Sequence, residues 1–362
     1  NCLPKTAWPP TSGKYGIGSF SKEAYEFVDF LKEADQKYWQ ILPIGPTSYG
    51  DSPYQSFSTY AGNPYFISLE DLIEQGLLTE KECDKVDFGS KTDKVDYEKL
   101  YNGRFELLKT AYEKSDISER EEFKRFKAEN AYWLKDYAMF MAIKERFNGQ
   151  SFDHWAEDIK LRWEYSMEYY ESELADEITF YEFIQYEFYR QWYKLKKYAN
   201  DNGIKIIGDI PIYVAYDSAD VWAHPELFQI DDERNPIAVA GCPPDGFSAT
   251  GQLWGNPLYK WDYHKYTNYD WWIKRIERSV KLYDVVRIDH FRGFDEYYSI
   301  PAKDKDATGG HWEKGPGIDL FNGIKYCLGD INIIAEDLGY ITDTVRQLVK
   351  DSGFPNMKVL EF

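Results

Sequence analysis

The sequence predicts an α/β fold, most simply a (β/α)8 TIM barrel that carries a large helical insertion. Short runs rich in Ile and Val recur along the chain, and segments with helical spacing of apolar residues lie between them. Runs that are nearly continuous in apolar residues are typical of parallel strands covered on both faces. Strands that alternate with helices indicate a parallel sheet, which is either closed into a barrel or open and doubly wound.

Five apolar runs are predicted as buried strands of this sheet. They are "YWQILPI" (38 to 44), "IKIIGDI" (204 to 210), "YDVVRID" (283 to 289), "INIIAED" (331 to 337) and "MKVLEF" (357 to 362). Residues 21 to 34 are predicted as a helix with Ser21 as its N-cap, and residues 342 to 353 as a helix that begins at Thr342 and ends at Gly353.

Residues 76 to 200 are predicted to form a mainly helical insertion subdomain, because they are rich in Glu, Lys, Tyr and Phe and almost free of Pro and Gly. One face of its last helix is expected to carry Phe180, Phe183, Ile184, Trp192 and Leu195. The barrel then begins in residues 1 to 75 and continues in 201 to 362, with about strands 3 to 6 and an expected lid loop over 241 to 259. Residues 1 to 14 contain no apolar run for a first strand.

Composition excludes several classes of protein. The 362 residues contain no apolar run long enough to span a membrane, and 43 Lys and Arg stand against 62 Asp and Glu, for a net charge of -19. No basic stripe alternates with aromatic residues, so neither nucleic acid nor a membrane is an expected partner. The four cysteines form no CxxC pair, and no histidine stands at metal-ligand spacing. We therefore expect a cytoplasmic protein with reduced thiols and no bound metal.

A dinucleotide, which is the main ligand of the doubly wound fold, is not expected here. "GIGSF" (16 to 20) contains a GxG sequence, but it lacks the third glycine of a dinucleotide-binding loop and follows no clear strand. This observation favours the barrel and argues against a nucleotide cofactor. In a barrel, catalytic groups stand at the C-terminal ends of the strands.

Three of the predicted strands end in an acid: Asp209, Asp289 and Glu336. Arg287 and Asp289 are two residues apart on one strand and should point to the same side, where the guanidinium favours an ionised carboxylate. Glu336 would face that charged carboxylate, which raises its pKa and lets it hold a proton. One ionised and one protonated carboxyl group about 5–5.5 Å apart is the pattern of retaining glycoside chemistry.

A purely structural alternative exists for each of these residues. Arg287 and Asp289 taken alone could form a salt bridge at a strand end, and Glu336 alone could be a solvated residue before a loop. His290 could be a hydrogen-bonded wall residue or a contact to a sugar hydroxyl. Most of the aromatic residues, which form 18% of the chain, are expected to fill the core, and some to stack on sugar rings. Three acids on three different strands favour the catalytic interpretation.

Long motifs extend this pattern to a known family. "RIDHFRGF", "AEDLG", "GDIPIYVAYDSADVW", "PPDGFSATGQLWGNPLY" and "YWQILPIGPTSYGDSPYQSFSTYAGNPYFI" resemble those of the 4-alpha-glucanotransferases (amylomaltases or disproportionating enzymes) of the α-amylase clan, glycoside hydrolase family 77. The resemblance covers most of the chain from about residue 15 onward. It implies that Asp289 is the nucleophile, Glu336 the acid/base and Arg287 the arginine of the "RID" triplet.

The same resemblance implies a set of substrate contacts. It places His290 and Asp209 in the donor subsite and Trp254 in a lid over the cleft. It places three residues of "GDSPYQS" near the sugar-binding groove: Asp51, Ser52 and Tyr54. The family also has a third essential aspartate near the end of strand 7, whereas "MKVLEF" would be strand 6. We therefore expect the native protein to continue beyond Phe362, because a barrel that lacks its last strands leaves an open edge.

The function that this resemblance implies is transfer of an α-1,4-glucan segment to a new 4-hydroxyl of glucose or a glucan, by retaining double displacement and without a cofactor. The partner expected is the α-1,4-glucan or maltooligosaccharide substrate. Two alternatives remain open from the sequence. An α-glucan hydrolase of the same clan would use the same carboxyl pair, and a non-catalytic glucan-binding protein would not use it at all.

Overall fold

The computed structural model describes residues 13–48, 51–89, 95–339 and 341–359. Its α-helices are α1 (Lys22–Glu33), α2 (Leu69–Glu74), α3 (Glu80–Cys83), α4 (Tyr97–Lys114), α5 (Glu121–Glu129), α6 (Ala131–Arg146), α7 (Glu157–Lys160), α8 (Glu164–Glu173), α9 (Ala175–Asp201), α10 (Ala219–Ala223), α11 (Trp261–Tyr266), α12 (Asp270–Leu282), α13 (Ile318–Leu328) and α14 (Asp343–Ser352). Its β-strands are β1 (Tyr38–Gln40), β2 (Lys205–Ile210), β3 (Ala238–Cys242), β4 (Gln252–Pro257), β5 (Val285–Ile288), β6 (Glu296–Pro301), β7 (His311–Lys314) and β8 (Ile333–Ala335). Residues 1 to 12 lie outside the described residues. They include Cys2 and most of the segment in which the sequence shows no apolar run.

The chain divides into two compact units. One consists of Asn1–Pro53, Ala61–Gly149 and Met167–Ile206, and the other of Tyr54–Tyr60, Gln150–Ser166 and Ile207–Phe362. The first contains most of the helices of the predicted insertion, and the second contains β3 to β8 and most of β2. Among the described helices, none is both long and apolar enough to cross a membrane.

Helix α9, with 27 residues, organises the helical unit and packs against α1, α4, α5 and α6. The five apolar residues predicted for its inner face are all buried, as expected. Two buried glutamines of α9 hold the segment from residue 62 to 68. Gln185 hydrogen-bonds both the N–H and the C=O of Gly62, and Gln191 accepts from the N–H of Ser68. A Cβ atom at Gly62 would lie 2.1 Å from the ring of Phe188, so only glycine allows the loop to approach the helix this closely.

A parallel sheet with the strand order β1-β2-β5-β8 confirms the predicted α/β class. Strand β2 pairs with β5 from Ile207↔Val285 to Ile210↔Ile288, and β5 pairs with β8 from Val286↔Ile333 to Ile288↔Ala335. Four of the five predicted strands are present, as β1, β2, β5 and β8, but each is shorter than its apolar run. Strand β5 ends at Ile288, directly before Asp289, whereas β2 continues through Asp209 to Ile210.

The predictions for the ends of two helices and for the last strand have different outcomes. Helix α14 begins after Thr342, whose hydroxyl accepts from the N–H of Val345, and ends at Gly353 in the left-handed conformation, as predicted. Ser21 precedes α1, but its side chain makes no capping hydrogen bond. The strand predicted over 357 to 362 is wrong for 357 to 359, which have no regular structure, and 360 to 362 lie outside the described residues.

A second, antiparallel sheet has the strand order β4-β3-β6-β7. Its strands β3 and β4 lie in the sequence between β2 and β5, whereas β6 and β7 lie between β5 and β8. The segment 241 to 259, expected to form a lid, comprises the end of β3, an irregular loop and all of β4. Strand β4 carries Trp254.

Candidate active site

Three carboxyl groups meet at the C-terminal ends of adjacent parallel strands. Asp209, in β2, stands opposite Arg287 of β5 in the strand register. Asp289 follows β5, and its N–H donates to the C=O of Ile210. Glu336 follows β8, and its N–H donates to the C=O of Ile288. The sheet therefore gathers the acids that the sequence places at three separate strand ends.

Arg287 joins these acids. Its Nη1 lies 2.5 Å from Asp209 Oδ1 and 2.8 Å from Asp289 Oδ1, and its Nη2 lies 3.9 Å from Glu336 Oε2. The side chain of Arg287 is only 5% exposed. Burial acts to lower the pKa of this guanidinium, but the charges of Asp209 and Asp289 outweigh burial and raise it. The arginine is thus a permanent cation between carboxylates.

The two carboxyl groups proposed for catalysis have different surroundings. The side chain of Asp289 is 33% exposed, whereas that of Glu336 is 11% exposed. Burial raises the pKa of Glu336, and the nearby charge of Asp289 raises it further. The N–H groups of His290 and Leu338, each 2.8 Å from a Glu336 oxygen, act in the opposite direction. The direction agrees with the sequence prediction, although burial contributes more than the like charge.

His290 turns the chain away from the strand through a left-handed backbone, with φ of 52°. Its ring meets the ring of Trp254 edge to face, with centroids 4.9 Å apart. Burial and the positive charge of Arg292 lower the pKa of His290 to about 4. The imidazole is therefore neutral near pH 7, and it can donate one hydrogen bond and accept another.

The half-buried Tyr54 and the fully buried Asp209 support the arginine. The Tyr54 hydroxyl donates to Asp209 Oδ2 at 2.9 Å, while Arg287 holds the other oxygen. The side chain of Asp209 is fully buried. In this structure Asp209 therefore anchors Arg287 and Tyr54. Its predicted place in the donor subsite stays a prediction. Burial raises the pKa of Tyr54, and the charge of Asp209 adds to this effect.

Asp51 and Ser52 belong to the other unit of the chain. Asp51 has a left-handed backbone with φ of 53°, and its N–H donates to the C=O of Ser48. Burial raises the pKa of Asp51. The proximity of these two residues to the sugar-binding groove stays a prediction.

Sequence reasoning missed two contacts, one at Arg287 and one at Arg292, two residues after His290. Met357 places its Sδ 3.2 Å from Arg287 Nε, and the guanidinium of Arg292 lies 4.0 Å from the ring centroid of Trp312. No sequence signal indicated either pair, because the partners come from separate elements. Among the described residues, no group of three or more His, Cys, Asp and Glu side chains has a metal-binding arrangement.

Replacement of Arg287 by Met is expected to destabilise the fold by about 3–5 kcal/mol, because it removes the cation that neutralises the fully buried Asp209. Urea unfolding measures this change. Arg346→Met is the control, since the Arg346–Asp343 pair is exposed on α14 and should contribute little. Equal unfolding midpoints for the two variants would contradict the structural role of Arg287.

Comparison with known proteins gives one consistent result. The family model described as 4-alpha-glucanotransferase matches residues 9–362. The 4-alpha-glucanotransferase of Clostridium butyricum is 52% identical over 351 residues, which cover 97% of this chain and 72% of that protein. The 4-alpha-glucanotransferase of Thermus thermophilus is 48% identical, over 98% of this chain and 71% of that protein.

Solved structures agree with the sequence comparison. The amylomaltase of Streptococcus agalactiae in complex with acarbose superposes with a TM-score of 0.96 at 46% identity, and the match covers 100% of this chain and 73% of that one. The amylomaltase of Corynebacterium glutamicum shares the fold, with a TM-score of 0.77 at 20% identity over 98% of this chain and 49% of that one. Together with the carboxyl groups at the strand ends, these matches show that the chain belongs to the 4-alpha-glucanotransferases of glycoside hydrolase family 77.

Proposed function

We propose that this 4-alpha-glucanotransferase moves a segment of an α-1,4-glucan to the 4-hydroxyl of glucose or of another glucan, by double displacement with retention. One observation carries the proposal. Asp289 and Glu336 flank one buried arginine, but only Asp289 is substantially exposed, and burial raises the pKa of Glu336. Retaining glycoside chemistry requires such a pair, in which one carboxyl group attacks while the other carries a proton.

In the first step Asp289 Oδ attacks the anomeric carbon of the bound glucan. The bond from that carbon to the bridging oxygen breaks, and Glu336 gives its proton to the departing 4-oxygen. The Nη1 of Arg287, 2.8 Å from Asp289, holds the attacking carboxylate in place and stabilises its negative charge. A glucosyl ester of Asp289 remains, with inverted configuration at the anomeric carbon.

In the second step Glu336, now ionised, takes the proton of an acceptor 4-hydroxyl. The acceptor oxygen attacks the anomeric carbon, the ester bond to Asp289 breaks, and the second inversion restores the α configuration. The N–H groups of His290 and Leu338 point at the two oxygens of Glu336 and stabilise it in this ionised state. The same contacts therefore keep the acid from binding its proton too tightly.

Transfer in place of hydrolysis requires an acceptor sugar to occupy the site before water does. Two aromatic side chains support this part of the proposal. Trp254 packs against His290 at the site, and Phe247 is fully exposed on the loop between β3 and β4. An exposed aromatic ring beside a sugar-binding cleft offers a face on which a sugar ring can stack. We propose that this loop, as part of the lid over 241 to 259, covers the acceptor and excludes water.

The product profile from maltotriose tests the proposed function. Glucose together with maltooligosaccharides longer than the substrate is the result expected of a transferase. Glucose and maltose alone would indicate a hydrolase. No turnover by the full-length protein, combined with measurable binding of maltotriose, would indicate a glucan-binding protein and would overturn the proposal.

We also propose a cytoplasmic location. The described cysteines, Cys83, Cys242 and Cys327, are free thiols, which fits a reducing compartment. Among relatives, the protein of Solanum tuberosum is described as chloroplastic or amyloplastic, so location varies within the family. Cell fractionation followed by immunodetection tests the proposal, and recovery of the protein outside the cytoplasmic fraction would contradict it.

A further inference from the structure

The segment after α14 reaches back to the end of β8 and to the arginine of the site. The N–H of Ala335 donates to the C=O of Pro355 at 2.9 Å. Asp337, which directly follows Glu336, accepts from the Nδ2 of Asn356 at 2.8 Å and from the N–H of Met357 at 3.2 Å. These three hydrogen bonds attach residues 355 to 357 to the strand that delivers the acid/base.

This attachment places a sulfur atom at the remaining nitrogen of Arg287. Nη1 bonds Asp209 and Asp289, and Nη2 faces Glu336 at 3.9 Å. Nε donates to the Sδ of Met357 at 3.2 Å. A buried guanidinium needs an acceptor at each edge, because a donor without a partner in the interior is costly. The thioether is a weak acceptor, and its bulk at Nε also hinders rotation of the guanidinium.

We infer that Met357, held by Asp337, is a positioning residue for the transfer reaction, because it fixes the guanidinium of Arg287 in the plane that points Nη1 at Asp289. The inference rests on the proposed function. Met357 acts through Arg287 and contacts neither carboxyl group in the described hydrogen bonds. Without the acceptor at Nε, the guanidinium can rotate about its long side chain, and Nη1 then holds the attacking oxygen of Asp289 less firmly.

The test uses the full-length protein and two replacements of similar size. Met357→Leu keeps the volume but removes the acceptor, whereas Met357→Gln keeps the chain length and offers a carbonyl oxygen to Nε. For Met357→Leu we expect kcat with maltotriose to fall about three- to tenfold with KM changed less than about twofold, as for the loss of one hydrogen bond. For Met357→Gln we expect kcat within about twofold of the wild type.

Asp337 offers an independent arm of the same test. Asp337→Asn replaces one acceptor oxygen by an amide donor, which faces either Asn356 Nδ2 or the N–H of Met357. We expect a fall in kcat similar to that of Met357→Leu. The double variant should be no slower than the slower single variant, because both changes act through one contact. Additive losses would overturn the coupling between Asp337 and Met357.

Met139→Leu is the matched control, since Met139 is buried in α6 of the helical unit. It should leave kcat and KM unchanged. A Met357→Leu enzyme as fast as the wild type would overturn the inference. A Met357→Gln enzyme as slow as Met357→Leu would overturn it as well, because loss of packing alone would then explain both.

A measurement without turnover separates this inference from the proposed function. The side-chain Nε–H resonance of Arg287, assigned through its own side-chain carbons, should shift and exchange faster with solvent in Met357→Leu and remain unchanged in Met139→Leu. An unchanged resonance would refute the contact. Failure of the wild type to transfer glucan would refute the proposed function and, with it, a role for Met357 in that reaction, whatever the resonance shows.

Discussion

Asp289→Asn is expected to lower the rate of glucan transfer about 10³-fold or more, because the amide cannot form the ester intermediate. The change also removes the negative charge that pairs with Arg287 at 2.8 Å. The measurement is the initial rate of glucose release from maltotriose, together with the distribution of longer products. Asp289 is one-third exposed and other acids still neutralise Arg287, so the variant should fold.

Asp330→Asn is the control for this experiment. It makes the same chemical change at a side chain that is 91% exposed and paired only with Lys325 in the described salt bridges. Its transfer rate should equal that of the wild type. An Asp289→Asn enzyme that keeps wild-type activity would rule out the double-displacement role of Asp289, and the proposed mechanism would be wrong.

Chemical rescue of an Asp289 variant shows, through the anomer of the product, from which face of the sugar Asp289 attacks. Asp289→Ala leaves space for a small anion on the side of the missing carboxylate. With α-maltosyl fluoride as donor and azide as nucleophile, a single displacement from that side should give the β-azide. An α-azide from this variant would place the attacking group elsewhere and would contradict the assignment.

Glu336→Gln is expected to lower transfer from maltotriose about 10³-fold, because the sugar leaving group then departs without a proton. The loss should be far smaller with α-maltosyl fluoride, since fluoride leaves with little need of protonation. The ester on Asp289 then accumulates, because no base activates the acceptor. Azide needs no base and should release this ester as the α-azide, the opposite anomer from that expected of Asp289→Ala.

The dependence of rate on pH provides a second readout for Glu336. Burial raises its pKa, so the protonated form that the first step needs persists to higher pH than for an ordinary carboxyl group. Activity should fall as pH rises through that raised pKa, and formation of the ester from α-maltosyl fluoride by Glu336→Gln should show no such alkaline loss. Glu277→Gln, at an exposed pair on α12, is the control and should keep the wild-type profile.

A substantial part of the fold and of the site could be predicted from the sequence. The apolar runs that end in Asp209, Asp289 and Glu336 indicated parallel strands and the edge at which their ends meet, because alternation of strands and helices is a local property. The last predicted strand was wrong for residues 357 to 359. An apolar run near a sheet does not by itself show that its backbone pairs with a neighbouring strand.

The sequence by itself determined the α/β class, the residue types at the strand ends and, through its motifs, the family. Only the tertiary structure decided how those residues differ in burial and in hydrogen-bond partners. Asp209 is buried under Tyr54, 155 residues away in the chain, and Met357 meets Arg287 across 70 residues. Burial and hydrogen-bond partners set protonation and orientation, and both depend on contacts between distant segments that no local pattern records.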